Sequence, residues 1–349
     1  MKKLLRLIVR CSGLVHILRF LNRKKITILM LHGVAGAHPE TDWKPLWPRM
    51  TPEQLDLVLQ HLGRYYEFVS LDDAVDMLSG VTPVRNNCLV LTFDDGYRNN
   101  LTEAWPVLKK HAAPATFFIA TGFVGSGRAF WIDRLDYALQ YADESARLVT
   151  ANGESYDLRR LERPQLADGY MRLRLAVKNQ VSNDDDMLQI FDSISSSLEA
   201  TAGSTIADVI DSDPYVSVAG WSELADVARD GVTIGSHTVD HFRLDAVAPD
   251  VVDAQLAKSK VSIEENLKLE CQLFCYPNGS FSDTVCEQTR GAGYRAAVTT
   301  NKGLNRVGDD LYRLKRFAMP AKATAFDNLL AISGFSELPL VRRLVGGGT

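Results

Sequence analysis

The sequence predicts an α/β barrel in which parallel strands are covered by helices. Three observations predict it. Short, almost wholly apolar runs such as Cys88-Leu89-Val90-Leu91-Thr92-Phe93 recur along the chain, and such runs are typical of strands buried on both faces. Helical patterns alternate with these runs, as expected for βα units. Six or seven such units favour a barrel over an open sheet.

The predicted elements follow one another closely. Strands are expected at 26–31, 68–70, 88–93, 115–120, 232–234, 272–276 and 295–299. Helices are expected at 51–62, 71–78, 100–111, 221–227, 251–267, 284–291 and 326–332. The helix at 51–62 has the clearest signals, because Thr51 can cap it, Pro52 suits its first turn and its leucines form a stripe.

Residues from about 128 to 215 interrupt the alternation. They are helical and polar in pattern, and Asp184-Asp185-Asp186 and Ser195-Ser196-Ser197 indicate exposed turns. We interpret them as a helical insertion packed on the barrel. The predicted organisation is therefore a basic amphipathic N-terminal segment at 1–25, a barrel domain at 26–335 that contains the insertion, and a C-terminal tail at 336–349.

Composition excludes several classes of protein. The 349 residues are 46% apolar and 23% charged, which is typical of a globular protein. The net charge is −4, yet residues 1–39 hold eight Lys/Arg and no acid, so the remainder is acidic. An acidic body argues against nucleic-acid binding. The five cysteines show no disulfide framework and are expected to be mostly buried thiols.

The pattern of the N-terminal segment does not lead us to expect a signal peptide. Arg10 interrupts the apolar run, which is also far shorter than the about 20 residues that span a bilayer. From Leu14 onward, Ile17, Leu18 and Leu21 share one helical face. Two readings stay open: the helix docks on the domain, or it contacts anionic lipid. We expect a cytoplasmic protein, with the second reading placing it peripherally at the inner membrane face.

Phe93-Asp94-Asp95-Gly96 directly follows a predicted buried strand. In barrels of this kind, chemistry lies at the C-terminal ends of the strands. Two adjacent carboxylates are unfavourable there unless a cation or a shared proton relieves their repulsion. A metal would allow one Asp to be a ligand and the other a base. The alternative is a polar turn with a capping Asp.

Ser236-His237-Thr238-Val239-Asp240-His241 follows another predicted strand. His237 and His241 are four residues apart, so one helical turn would bring both imidazoles to one side. Neutral imidazole is a common zinc ligand. The alternative is two surface histidines at a helix start.

Together the two motifs point to a catalytic metal site. They supply two histidines and one carboxylate, and this set leaves positions open for water and substrate, whereas structural zinc sites are closed. Zinc suits these ligands best, although cobalt, nickel, manganese or iron could also bind.

In these motifs the chain resembles the polysaccharide deacetylase (NodB-type) family. The matching stretches are 92–97, 236–241 and Phe274-Cys275-Tyr276-Pro277-Asn278-Gly279, with weaker likeness at Leu31-His32 and 115–118. The resemblance implies a distorted (β/α)7 barrel. It also implies Asp94 as general base and Asp95, His237 and His241 as metal ligands.

Two positions depart from the family pattern. The Arg that often braces the catalytic Asp appears here as Cys275, and Arg313 or Arg316 could supply the guanidinium, with Arg316 preferred. The family commonly has a general-acid His near its C-terminal end, but no His follows His241. His32 is the best substitute by position; its alternative role is a structural hydrogen bond.

Further candidates concern the substrate. Tyr97, Trp131, Tyr276 and Asn278 are candidate groove residues, and a backbone N–H within 276–279 is a candidate oxyanion donor. Each aromatic ring could simply pack instead; for Trp131 packing is favoured.

The leading functional hypothesis is N-deacetylation of an amino sugar in a polysaccharide, an oligosaccharide or a lipid-linked glycan. The alternatives are O-deacetylation of a glycan, hydrolysis of a small amide, and a carbohydrate-binding protein that has lost catalysis.

Overall fold

A computed structural model of the chain describes residues 13–38, 41–151, 153–319 and 324–338. Within these residues, eight strands form one parallel sheet and two more form a separate hairpin. The strands are β1 Thr27–Leu31, β2 Glu67–Phe68, β3 Cys88–Phe93, β4 Ala115–Ile119, β5 Leu148–Ala151, β6 Glu154–Asp157, β7 Thr233–Ser236, β8 Leu273–Cys275, β9 Ala296–Val298 and β10 Phe317–Ala318.

The large sheet curls until its two ends meet. Its order is β10-β1-β3-β4-β7-β8-β9, and β2 pairs with the start of β3. The chain that leads into β10 lies beside β9, because Leu314 donates its N–H to the carbonyl of Ala297 (3.0 Å) and accepts from Thr299 (2.8 Å). This arrangement confirms a distorted (β/α) barrel.

Helices cover the sheet and connect its strands. They are α1 Leu14–Leu21, α2 Pro52–Leu62, α3 Leu71–Ser79, α4 Trp105–Lys110, α5 Trp131–Tyr141, α6 Arg163–Gln180, α7 Asp184–Glu199, α8 Trp221–Arg229, α9 Pro249–Leu267, α10 Asp283–Gly291 and α11 Ala325–Ile332. A π-helical turn, Asn100–Ala104, precedes α4, and 3-10 turns lie at Glu144–Arg147, Ile206–Asp208, Leu244–Ala246, Pro277–Gly279, Leu311–Arg313 and Phe335–Glu337. Helix α2 begins as predicted: the Thr51 hydroxyl accepts the N–H of Gln54, whose side chain accepts the N–H of Thr51.

Alternating strand residues enter two separate apolar clusters. Leu89, Leu91 and Phe93 of β3 join the larger cluster, which is shared with helices such as α2 and α9. Cys88 and Val90 point the other way and join a cluster closed by α3. Because strand side chains alternate between faces, each strand is buried on both sides, as its sequence predicted.

The insertion has its own core and differs from the predictions in two places. Asp184-Asp185-Asp186 and Ser195-Ser196-Ser197 lie within helix α7 and do not form turns. Helices α5, α6 and α7 bury Leu139, Leu173 and Phe191 in a cluster separate from the barrel. The expectation of a wholly helical insertion is wrong at 148–157, where β5 and β6 pair antiparallel. The sequence Asn152-Gly153 is typical of a two-residue hairpin turn and was the signal for it.

Part of the N-terminal segment lies within the described residues. Helix α1 buries Val15 and Leu18 against the domain, whereas Ile17, Phe20 and Leu21 are exposed by 56%, 60% and 67%. The helix thus docks on the domain through Val15 and Leu18, while Ile17 and Leu21, which share the predicted face with Leu18, stay exposed. Residues 1–12 and most of the predicted tail, from 339, lie outside the described residues. In the part of the chain that is described, no helix is long and apolar enough to cross a membrane.

Candidate metal centre and active site

The candidate residues converge at the carboxyl ends of the barrel strands. Asp94 and Asp95 follow β3, His237 follows β7, and the segment 276–279 follows β8. Gly235 allows the close packing of β7 on its neighbour, since a Cβ there would lie 2.6 Å from the Phe118 ring. The sheet therefore brings together motifs that are distant in sequence.

The two adjacent aspartates have different surroundings because the backbone turns sharply between them. Asp95 adopts a left-handed conformation with φ 77°, and Gly96 follows with φ 88°. A Cβ on Gly96 would lie 3.1 Å from the Ile119 side chain, so glycine is required there. A non-glycine residue held at positive φ is costly and typical of functional sites.

The histidine motif forms an irregular loop, so the predicted helical turn is wrong. Thr238 and His241 have φ values of 68° and 60°, in the left-handed region. The Gln255 side chain accepts the N–H groups of residues 239 and 240, each at 2.9 Å, and the Thr238 hydroxyl accepts the N–H of His241 at 2.9 Å. These side-chain acceptors replace the carbonyls that a helix would use, and the loop still brings His241 beside His237.

Asp95, His237 and His241 form a compact donor set. Asp95 Oδ1 lies 3.6 Å from His237 Nε2 and 3.4 Å from His241 Nε2. The candidate ligand atoms all lie within 4.8 Å of one another, and Asp95 Oδ1 is buried with no hydrogen-bond partner among the described residues. A buried carboxylate oxygen in this position fits a divalent cation.

A backbone carbonyl fixes the orientation of the His237 ring. Its Nδ1 lies 2.7 Å from the carbonyl oxygen of Cys275, so Nδ1–H must donate and Nε2 is left facing Asp95. Such a backbone contact is common for metal-ligating histidines. The pKa of His241 is lowered mainly by burial, which favours the neutral imidazole that can bind a metal.

A second donor set, Asp94, His237 and Cys275, is also compact. Here, however, Arg316 holds both Asp94 oxygens, through Nη1 at 2.7 Å and Nη2 at 2.8 Å. Its Nη2 also lies 3.1 Å from the Cys275 sulfur. The set that contains Asp95 is therefore better suited to a metal.

Arg316 lies beside Asp94, at the position expected for the guanidinium that braces this carboxylate. It is 1% exposed and donates from Nε to the carbonyl of Thr299 at 2.8 Å and from Nη1 to the Thr92 hydroxyl at 3.0 Å. Arg313, the other candidate, instead pairs with Asp283 and Asp310 near the surface.

Arg316 also controls the charge of Asp94. Burial by itself raises the pKa of this carboxyl, but the charge and the hydrogen bonds of Arg316 outweigh it and hold the pKa below its usual value. Asp95 behaves similarly: burial is opposed by His32, His237 and His241, which hold its pKa well below the usual range. Both carboxylates are ionised at neutral pH.

His32 follows β1 and has an exposed side chain. It is among the groups whose charge lowers the pKa of both Asp94 and Asp95. The structure therefore places an accessible imidazole within electrostatic range of both carboxylates.

The remaining predicted site residues have other surroundings. Tyr97 is 1% exposed and donates to Asp133 at 2.6 Å, and Tyr276 is fully buried beside Cys286. These placements do not support direct contact of either hydroxyl with a sugar. Trp131 stacks on Phe191 at 4.1 Å, which favours its packing role.

Asn278 is the exposed member of these candidates. Its side-chain oxygen accepts from Lys178 at 2.6 Å. Within 276–279, the N–H groups of Tyr276 and Gly279 donate to other carbonyls and Pro277 has none, which leaves the N–H of Asn278 as the candidate oxyanion donor.

Sequence reasoning missed Arg49. Its Nη2 pairs with Asp133 at 3.1 Å, and its guanidinium lies 4.2 Å from the centre of the Tyr97 ring. Asp95 is among the groups that raise its pKa, so Arg49 lies near the donor set. The residue follows an irregular stretch of chain with no motif, and the sequence offered no signal for it.

Comparison with known proteins assigns the fold to a family. A family profile described as polysaccharide deacetylase matches residues 82–160 and 184–297, which is more than half of the chain. The chain belongs to this family. The Bacillus subtilis (strain 168) protein YxkH, whose name carries the same family designation, is 19% identical over 293 residues, covering 84% of this chain and 70% of that protein.

Several solved structures share the fold. The Streptococcus pyogenes deacetylase PplD, in complex with acetate, superposes with a TM-score of 0.57 at 19% identity, covering 88% of this chain and 98% of that chain. IcaB from Ammonifex degensii gives a TM-score of 0.55 at 18% identity, covering 88% and 95%. Membership of the polysaccharide deacetylase family makes this protein a hydrolase of the carbohydrate deacetylase class.

Replacing Arg316 with Met should leave a charged, unpaired Asp94 inside the barrel. We expect the free energy of unfolding, measured by urea denaturation at pH 7, to fall by about 3–5 kcal/mol. Adding Asp94→Asn to this variant should restore part of the loss, because the buried charge is then removed. The control is Arg229→Met, which breaks an exposed pair with Asp226 and should change stability by less than about 0.5 kcal/mol. Equal losses in the two single variants would contradict this account of Arg316.

Proposed function

We propose that this polysaccharide deacetylase family member uses a divalent metal ion to remove the N-acetyl group from an amino sugar of a polysaccharide, an oligosaccharide or a lipid-linked glycan. One observation carries the proposal. The candidate ligand atoms of Asp95, His237 and His241 lie within 4.8 Å of one another, while Arg316 holds both oxygens of the adjacent Asp94. One carboxylate is thus suited to bind a metal and the other to accept a proton.

Zinc is the metal we propose. Two imidazoles and one carboxylate are a ligand set typical of catalytic zinc, and the unpartnered Asp95 Oδ1 fits a cation. A zinc ion held by these residues would supply a water ligand of lowered pKa and polarise the acetyl carbonyl.

Asp94 acts as the general base in this proposal. Arg316 keeps the carboxylate ionised and fixes its direction through two hydrogen bonds. Asp94 can therefore accept one proton from the attacking water as the C–O bond forms at the acetyl carbon. The N–H of Asn278 is suited to donate to the oxyanion that develops on the carbonyl oxygen.

His32 acts as the general acid. An amine is a poor leaving group unless it is protonated, so cleavage of the C–N bond needs a proton donor on the sugar side. His32 is exposed at the end of β1 and lies within electrostatic range of Asp94. It would give its proton to the amine, and acetate and the free amino sugar would leave.

Ester and small-amide hydrolysis remain alternative activities of the same residues, and a non-catalytic carbohydrate-binding protein is an alternative of another class. The lack of an Arg at position 275 and of a His after His241 motivates the last of these. The contact of Arg316 with Asp94 argues against it, because the guanidinium reaches the carboxylate from the residue that precedes β10. Chemical detection of a free amine, rather than a free hydroxyl, separates N- from O-deacetylation.

We also propose that the N-terminal segment contacts anionic membrane surfaces. Helix α1 exposes Ile17, Phe20 and Leu21, and Arg23 stacks on Phe20 at 4.2 Å. The preceding residues add Lys2, Lys3, Arg6 and Arg10 between apolar residues. Exposed apolar groups among basic ones are suited to an anionic lipid interface.

Substitution of Asp94 and of Asp95 should have different effects on zinc content and activity. Asp95→Asn should lose both bound zinc and deacetylase activity, because it weakens the ligand set. Asp94→Asn should keep its zinc and lose activity by about 100-fold or more, because it lacks only the base. Zinc content is measured by mass spectrometry and activity by release of acetate from N-acetylated oligosaccharides.

The control for both variants is Asp226→Asn, which alters an exposed carboxylate and should leave zinc content and activity unchanged. Retention of full activity by Asp94→Asn would refute the assignment of the base, and retention of zinc by Asp95→Asn would refute the ligand set.

His32→Ala should separate amide from activated ester substrates. We expect the rate on an N-acetyl sugar to fall by about 100-fold or more, since the leaving amine then lacks its acid. Hydrolysis of p-nitrophenyl acetate should fall much less, because its leaving group needs no proton. His111→Ala, which alters a histidine paired with Asp56, serves as control and should affect neither rate. Equal losses on both substrates would rule out an acid role for His32.

Replacing Ile17, Phe20 and Leu21 together with Ser should weaken binding to anionic phospholipid vesicles. The three side chains are exposed, so folding and activity on soluble substrates should be retained, whereas deletion of the whole helix would also remove the buried Val15 and Leu18. Vesicle co-sedimentation measures the effect, with neutral vesicles as the comparison. Unchanged binding to anionic vesicles would argue against this contact.

A further inference from the structure

Positively charged side chains gather where the insertion meets the candidate active site. Arg174 and Lys178 are one turn apart on α6, and Arg243 lies two residues after the last candidate metal ligand. We call these three residues the basic cluster. Lys178 donates to Asn278 at 2.6 Å, so the cluster contacts the loop that follows β8.

The basic cluster lies within electrostatic range of the catalytic residues. Arg243 follows His241 by two residues, and Lys178 contacts Asn278, whose N–H is the candidate oxyanion donor. Arg174 and Lys178 also lie 5.3 Å and 5.4 Å from the centre of the Trp131 ring, which begins the insertion. These contacts place the basic cluster beside residues of the proposed active site.

The positive charge of the cluster is only partly compensated. The Asp184 carboxylate accepts hydrogen bonds from the Nε and from the backbone N–H of Arg243. Burial and the charges of Arg174 and Arg243 lower the pKa of Lys178 to about 8, and Asp184 opposes them only in part. Asp184 thus compensates two cations of the cluster, Arg243 directly and Lys178 through its charge.

Two guanidinium nitrogens of the cluster also lack partners. Arg174 Nε and Arg243 Nη2 are buried without a hydrogen-bond partner among the described residues. Asp133, another carboxylate whose charge interacts with Arg174, is already held by Arg49. Buried donors without acceptors are unfavourable, and an anion bound between them would relieve this cost.

We propose that the basic cluster binds an anionic oxygen group of the substrate, a phosphate ester or a carboxylate, carried beside the acetylated position. This inference rests on the proposed function, because it takes the substrate to be an N-acetyl sugar. Guanidinium and ammonium groups donate several charge-assisted hydrogen bonds to such oxygens. The cluster would thereby select charged glycans over neutral ones.

Three probes that share the acetamido group test the proposal. They are N-acetylglucosamine, N-acetylglucosamine 1-phosphate and N-acetylmuramic acid, which add no charge, a phosphate and a carboxylate. Binding to the zinc-loaded full-length protein is measured by titration calorimetry. We expect at least one anionic probe to bind about tenfold or more tightly than the neutral one, and which probe does so identifies the anionic group.

Lys178→Gln and Arg174→Gln should each reduce this preference about tenfold while leaving the affinity for N-acetylglucosamine unchanged. The matched control is Arg172→Gln, which removes an exposed charge from the same helix and should keep the preference. A preference that persists in Lys178→Gln and Arg174→Gln would mean that the anion contacts the metal or another group, and would overturn the proposal. Equal binding of all three probes by the wild type would overturn it as well.

Acetate release from the same probes separates this inference from the proposed function. If no probe loses its acetyl group but the anionic preference depends on Lys178 and Arg174, the proposed reaction fails and the anion site stands. If all three probes are bound and deacetylated equally well, the reaction stands and the anion site fails.

Discussion

The buried ion pair between Arg316 and Asp94 is the interaction on which the candidate active site depends. It keeps one carboxylate ionised inside an apolar barrel and fixes both of its oxygens, so that Asp94 is separated in role from the neighbouring Asp95. Without this pair, two adjacent carboxylates would compete for the same cation or proton. The same guanidinium contacts Cys275, whose carbonyl orients His237, so one side chain links the proposed base to the candidate metal ligands.

Local backbone strain makes the second half of the site possible. Asp95, Thr238 and His241 all adopt left-handed conformations, and each lies next to or within the donor set. Neighbouring acceptors, such as the Gln255 side chain, hold these conformations in place. These strained conformations lower the stability of the barrel but hold the site in a preformed geometry, as is common at catalytic sites.

Much of the fold followed from local signals in the sequence. Buried strands such as 88–93 and capped helices such as 51–62 were predicted because their periodicity and end signals are strong. The hairpin at 148–157 was missed because its strands are polar and short. Strand β10 was missed because two residues give no periodicity, and its place beside β1 depends on closure of the sheet. Among the site residues, the motifs predicted which side chains meet, whereas Arg49 had no local signal, and the burial of Tyr276 depends on long-range packing.

The position of Arg316 has a consequence for the timing of folding in the cell. Both aspartates and both histidines of the site have been synthesised by residue 241. Arg316 follows much later in the chain, directly before β10, which pairs with β1. A nascent chain on the ribosome therefore contains all the candidate metal ligands well before it contains the guanidinium that holds Asp94. We therefore expect the proposed activity to appear in one step, when β10 pairs with β1 and brings Arg316 to Asp94, and not to increase gradually during synthesis.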